Sequence, residues 1–205
     1  MRTRIKICGM TEIEDVQKAI ALGADGIGFV FAESKRKVDP QWVREVISTL
    51  SPFVITVGVF MNQPLETVEE ITRISGIDII QLHGEEASDP HFVHQVSKLR
   101  RVIRRIPVSP GDTQKDLETR IRQIPASGYL LDPGGGSGIS FDWSIAYGLP
   151  QPIILAGGLT PENVKNAISL VHPWAVDVSS GVESMLGKKD WGKMERFIQE
   201  VRCLE

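Results

Sequence analysis

Lys6 and Cys8 stand two residues apart in the run RIKIC, so in an extended strand their side chains share one face. An ammonium beside a thiol lowers its pKa from a reference of about 8.5, and a helix starting a few residues later adds the positive end of its dipole. That pair could supply a thiolate base, although Cys8 alone reads equally as a small buried hydrophobe. Asp132 closes the apolar run GYLLD and is followed by Pro133 and a glycine-rich stretch to Gly138. It is either a carboxyl group at the mouth of a site or an Asp-Pro turn with a solvated carboxylate.

Two glycine turns offer a different chemistry. Gly157-Gly158 precedes Thr160-Pro161, and Ser179-Ser180-Gly181 follows the run AVDV. Both present backbone N–H groups suited to an anion such as phosphate, or serve only as tight turns. Gln81 and His83 end the run IDIIQLH, Arg36 lies in SKRK, and Asn62 follows VGVF. His83 and Arg36 each read as a site residue or as a packed or solvated strand-end group.

The elements that must position these residues recur along the chain. Apolar, β-branched runs at 4–8, 25–31, 53–60, 77–83, 100–106, 128–132, 152–157 and 175–180 give eight candidate strands. Helical signals lie between them. Thr11 and Glu14 form an expected capping box before a helix that stops at Gly23, and Asp39-Pro40 and Thr160-Pro161 place a capping side chain before a proline. Pro64 precedes LETVEEITRI, and the segments near 90–99, 112–123 and 190–202 have amphipathic spacing, whereas FDWSIAY gives only a weak helix.

Strands every roughly 22–29 residues, alternating with helices and continuously apolar, suit a parallel sheet covered by helices. Eight such units predict a single-domain α/β chain over residues 1–205, a (β/α)₈ TIM barrel. A doubly wound open sheet shares the rhythm, but its dinucleotide fingerprint belongs after the first strand, where the chain reads CGMTEIED. In a barrel, residues at the C-terminal strand ends carry function, which selects the residues above.

Composition excludes other classes. The 205 residues contain 23 Lys plus Arg and 26 Asp plus Glu, a net charge of −3, so no basic footprint for nucleic acid is present. The apolar runs fall short of the roughly 18–20 residues of a membrane span, and MRTRIKICGM has no signal-peptide core, so a cytoplasmic protein is expected. Cys8 and Cys203 are too few for a disulfide scaffold, and no Cys/His cluster offers a metal site.

In order along the chain, KICGMT (6–11), GADGIGFVF (23–31), SKRKV (34–38), VGVF (57–60), QLHGEE (81–86), LLD (130–132), GGSG (135–138), FDW (141–143), AGGLTPENV (156–164) and VDVSSGVES (176–184) resemble the signature of the phosphoribosylanthranilate isomerase family. The resemblance spans nearly the whole chain, and KICGMT with VDVSSGVE is its most specific part.

It implies an Amadori rearrangement in tryptophan biosynthesis without metal or organic cofactor. Cys8 is implied as general base and Asp132 as general acid, with Arg36 at the anthranilate end. His83, Lys6 and Gln81 are the further expected substrate contacts, and Gly157, Gly158, Ser180 and Gly181 the expected phosphate contacts. The expected partner is a phosphorylated small molecule, bound by a monomer or homodimer. Two departures concern the loop after Asp132: only Pro133 and Gly134 precede Gly135, and GISFDW has Ile139 where relatives often carry lysine.

Two other readings remain open. The related histidine-pathway aldose-ketose isomerase would place carboxylates at the ends of the first and fifth strands, where this chain has Cys8 and Arg104 or Arg105. A non-catalytic phospholigand-binding barrel would need neither Cys8 nor Asp132 at its mouth.

Overall fold

Residue parity along the strands builds the fold. In the computed structural model, which describes residues 2–134 and 141–204, eight parallel strands pair in chain order and close into a barrel. They are β1 (Arg4–Cys8), β2 (Gly26–Val30), β3 (Ile55–Phe60), β4 (Ile79–Leu82), β5 (Arg101–Pro107), β6 (Gly128–Asp132), β7 (Ile153–Leu155) and β8 (Ala175–Val178). β8 pairs back onto β1, with Lys6 opposite Asp177.

Ile5, Ile7, Ile27, Phe29, Ile80, Leu82, Leu131 and Val176 face outward into the core beneath the helices. The alternate residues Val57, Ile103, Leu130, Ile154, Ala156 and Ala175 fill the barrel interior. Two buried faces explain why the strands read as continuous apolar runs. Each fully buried side chain of this size contributes roughly 1.5–3 kcal/mol. A one-residue slip would exchange the two faces of a strand at once, so the register is strongly held.

Seven α-helices lie among the described residues: α1 (Ile13–Ala21), α2 (Pro40–Ser48), α3 (Leu65–Ser75), α4 (Pro90–Ser97), α5 (Gln114–Gln123), α6 (Val164–Val171) and α7 (Trp191–Arg202). The Asp39 carboxylate accepts from the N–H groups of Gln41 and Trp42, as its place before Pro40 predicts. Asp89 does the same for α4, and Thr113 with Asp116 forms a capping box on α5.

Two expected starts are corrected. α1 has no side-chain cap, because the Thr11 hydroxyl instead donates to the Gly187 carbonyl at 2.6 Å. α6 begins at Val164 rather than at Pro161. The Asn163 side chain accepts from Thr160 N–H and donates to the Gly158 carbonyl, each at 2.8 Å, and so holds the preceding residues in a turn. After β6 the weak helical signal becomes a single 3₁₀ turn, Trp143–Ala146.

A short antiparallel hairpin was not anticipated. β9 (Glu183–Met185) pairs with β10 (Lys188–Lys189) in the loop after β8, beside the C-terminal mouth of the barrel. Among the described residues, no helix is long and apolar enough to cross a membrane.

Candidate active site

Inward-facing positions at the C-terminal ends of the strands converge on one cavity of about 260 Å³. Cys8, Arg36, Gln81, His83, Asp132, Gly157, Gly158, Ser180 and Gly181, all expected from the sequence, line it. Lys6 does not. It lies one inward position deeper on β1, buried, and its Nζ donates to Asp177 Oδ1 at 2.9 Å. Its partners Asp177 and Cys8 both line the cavity, so in this geometry Lys6 stands behind them rather than at the cavity surface.

Gly28 on β2 makes room for the Lys6–Cys8 pair. A Cβ there would stand 2.7 Å from Cys8 Sγ and 3.1 Å from Lys6 Cε, so the two side chains occupy the space that a larger residue would fill. Their electrostatics also differ from the sequence expectation. Burial pushes the Cys8 thiol up, and it stays above its ordinary value although Lys6 and Lys189 oppose the shift. Asp177, facing the same interior, adds to the rise. Burial also disfavours the Lys6 charge, but Asp177 and Cys8 outweigh it and hold that ammonium above its usual range. Lys6 thus shares its charge between two partners, and the thiol keeps its proton at neutral pH.

Asp132, at the end of β6, has the opposite balance. Burial alone would raise its carboxyl, yet His83, the Gly134 N–H and Arg105 hold it below the ordinary carboxylate range. His83 Nε2 lies 3.2 Å from Asp132 Oδ2, and Gly134 N–H donates to Oδ1 at 3.1 Å. Arg105, facing inward from β5, donates to the Asp132 carbonyl at 3.2 Å and to the His83 carbonyl at 3.4 Å. Arg104 points the other way, into the helix layer, where it donates to the carbonyls of Ala87 and Arg120.

Gln81 is almost fully buried, and its Oε1 and His83 Nδ1 lack hydrogen-bond partners among the described residues. Both side chains line the cavity. Asn62, by contrast, ties loops together: its Oδ1 accepts from Glu85 N–H and its own N–H donates to Glu86. It does not line the cavity.

The glycine turns after β7 and β8 form one wall, and their close contact depends on Gly181. A Cβ at that position would lie 1.9 Å from the Leu159 carbonyl oxygen, a backbone atom that cannot swing aside. Gly181→Ala is therefore expected to destabilise the fold by about 1–3 kcal/mol and to weaken binding of a phosphorylated ligand, because the turns must separate. Thermal unfolding and ligand titration check this; a variant equal to wild type in both would show that the two turns need not touch. The expected glycine-rich loop at 135–140, with Ile139, lies outside the described residues.

Sequence reasoning missed Asp177, Arg105, Glu183 and Lys189. Asp177 was accessible to the parity that pairs Lys6 with Cys8, since Ala175, Asp177 and Ser179 alternate in the same way. Glu183 and Lys189 belong to the unanticipated hairpin. The Glu183 carboxylate accepts from Arg36 Nε and Nη2 at 2.7 and 2.8 Å, and Lys189 Nζ donates to Glu183 Oε1 at 3.0 Å.

Known proteins share this architecture and sequence. Residues 5–200 match the family model described as N-(5'-phosphoribosyl)anthranilate (PRA) isomerase. The N-(5'-phosphoribosyl)anthranilate isomerase of Moorella thermoacetica is 44% identical over 210 residues, covering 98% of this chain and 91% of that protein. The crystal structure of phosphoribosyl anthranilate isomerase from Thermus thermophilus superposes with a TM-score of 0.90 at 35% identity, covering 99% of this chain and 100% of that one. A phosphoribosyl anthranilate isomerase in complex with reduced 1-(o-carboxyphenylamino)-1-deoxyribulose 5-phosphate superposes with a TM-score of 0.83 at 36% identity, covering 98% and 99% of the two chains.

Proposed function

This chain belongs to the N-(5'-phosphoribosyl)anthranilate isomerase family, and from that premise we propose that Cys8 and Asp132 are the base and acid of its reaction. The reaction is the Amadori rearrangement of N-(5-phosphoribosyl)anthranilate to 1-(o-carboxyphenylamino)-1-deoxyribulose 5-phosphate in tryptophan biosynthesis. The observation that carries the residue assignment is that Cys8, Asp132 and both glycine turns line a single cavity.

Asp132 delivers a proton to the furanose ring oxygen, and the ring C–O bond opens to leave a protonated Schiff base. The Cys8 thiolate then removes the C2′ proton. The electron pair of that C–H bond forms the enolamine double bond and neutralises the nitrogen, and tautomerisation gives the ketone. The cationic Schiff base acidifies the C2′ proton, so a thiolate is a sufficient base. Backbone N–H groups at Gly157, Gly158, Ser180 and Gly181 hold the phosphate, and this remote binding orients the reacting carbon. Arg36 faces the substrate carboxylate, and Gln81 and His83 contact the sugar. We place the reaction in the cytoplasm, with the enzyme as a monomer or homodimer.

The test is to mix the protein with freshly generated phosphoribosylanthranilate in the presence of a chelator and follow the loss of anthranilate fluorescence. Acceleration over the spontaneous background is expected, and its absence would sink the reading. In the same material, a product analogue without its phosphate should bind at least ~10-fold more weakly, since charge-assisted contacts to the anion are lost. Equal dissociation constants would remove the phosphate assignment.

A further inference from the structure

We propose that Glu183 and Lys189, held side by side by the hairpin after β8, are positioning residues that set the Arg36 guanidinium for the aryl carboxylate of the substrate. The inference rests on the reading above that Arg36 contacts that carboxylate.

Arg36 comes from the loop between β2 and α2, outside regular structure, where a long side chain would sample many rotamers. Glu183 removes that freedom. Its two carboxylate oxygens grip Nε and Nη2 at 2.7 and 2.8 Å, the fork geometry that fixes both position and plane. Nη1 and one Nη2 hydrogen remain for a ligand, and Arg36 lines the cavity.

Lys189 stands behind Glu183 with its side chain wholly buried. Its Nζ donates to Glu183 Oε1 at 3.0 Å, to the Cys8 carbonyl at 2.7 Å and to the Ser179 carbonyl at 3.3 Å. Three ammonium protons meet three acceptors, so one group ties the end of β1, the end of β8 and the support of Arg36 together. The hairpin is itself braced, because Lys189 N–H donates to Asp15 Oδ2 and Trp191 Nε1 donates to Asp15 Oδ1.

Charge explains why two residues are needed. An isolated Arg–Glu pair would present a neutralised guanidinium to the pocket. Burial pulls the Lys189 ammonium below its usual range although Glu183 opposes the shift; with Lys189 sharing the carboxylate, the cluster of Arg36, Lys189 and Glu183 still carries a net positive charge at neutral pH, and its exposed part faces the cavity. Glu183 remains ionised: burial opposes its charge, but Arg36 and Lys189 outweigh it and hold the carboxyl below its usual range.

The test is steady-state kinetics on Glu183→Gln, Arg36→Ala and the double variant, with a melting curve for each. Glu183→Gln keeps the shape but not the bidentate grip; it should raise KM roughly tenfold and change kcat less than about threefold, as expected for losing part of a charged hydrogen bond used in binding. In the Arg36→Ala background the same change should add nothing, because its effect runs through Arg36. An equal KM increase in both backgrounds, or a wild-type KM in Glu183→Gln, overturns the inference while leaving the Arg36 reading intact. A wild-type KM in Arg36→Ala removes that reading and the inference with it. Should Glu183→Gln not fold, Glu183→Asp preserves the charge beside Lys189 but shortens the reach to Arg36. A folded Glu183→Asp with wild-type KM would be equally decisive against the proposal.

Discussion

Cys8→Ser is expected to fold normally, bind substrate with little change in KM, and lose at least ~100-fold in kcat, about 2.7 kcal/mol of transition-state stabilisation. Serine is slightly smaller than cysteine and fits the space that Gly28 leaves. Its hydroxyl, however, is far less acidic, so the anionic base is almost absent even beside Lys6. The protonation state of the wild-type thiol can be read directly. In a Cys203→Ser background, Cys8 is the one remaining cysteine, and its alkylation rate should rise with pH through a midpoint above the ordinary thiol value, because burial outweighs Lys6 and Lys189. Protonated Cys8 dominates below that midpoint and thiolate above it. At neutral pH the site therefore holds a thiol and a carboxylate, whereas the proposed reaction begins from a thiolate and a carboxylic acid. The two states contain the same number of protons, so a shift of one proton within the occupied site suffices. A Cys8→Ser enzyme with near wild-type kcat would reduce Cys8 to a packed strand residue and end the proposed mechanism.

The barrel was legible because most strands are buried on both faces and leave short apolar, β-branched runs that recur at regular spacing between helical signals, even though β5 carries Arg104 and Arg105 within its run. Inward parity also placed Cys8, Gln81, His83 and Asp132 at the mouth, because the two-residue period survives any uncertainty in strand ends. What the sequence could not carry were contacts between distant loops. Thr11 looks like a helix cap until Gly187, brought close by folding, takes its hydroxyl. Thr160-Pro161 looks like a helix start until Asn163 holds the segment as a turn. The Lys6–Cys8 pair was correctly read as adjacent, but the sign of the thiol shift depended on burial and on Asp177, which arrives from the other end of the chain. Glu183 and Lys189 were invisible for the same reason, since their meaning lies in Arg36, 147 residues from Glu183 along the chain.

Asp132→Asn should also lower kcat by at least ~100-fold, and for a reason distinct from that of Cys8→Ser. Asparagine preserves the shape, and its carbonyl oxygen can still accept from Gly134 N–H, so the turn after β6 should persist. It cannot carry an acidic proton to the furanose oxygen, and its NH₂ group can face the His83 Nε2 donor where a carboxylate oxygen stood, with the Arg105 charge 3.8 Å away left without its anionic neighbour. A modest fall in melting temperature is therefore expected alongside the kinetic loss. Burial opposes the Asp132 charge, but His83 above all, with Gly134 N–H and Arg105, keeps the carboxyl ionised. Substrate must reverse that balance. A ligand filling the cavity expels water from around the carboxylate and strengthens the burial effect, which raises its pKa toward the range where a proton can be shared with the ring oxygen. The loss should thus fall on ring opening, before any carbon-bound proton moves. Substrate deuterated at C2′ provides the discriminating readout. If the acid step becomes rate-limiting in Asp132→Asn, any isotope effect seen with wild type should shrink, whereas in Cys8→Ser, where proton abstraction is impaired, it should be retained or grow. An Asp132→Asn enzyme with wild-type kcat, or one in which the isotope effect grows as in Cys8→Ser, would take the acid role away from Asp132.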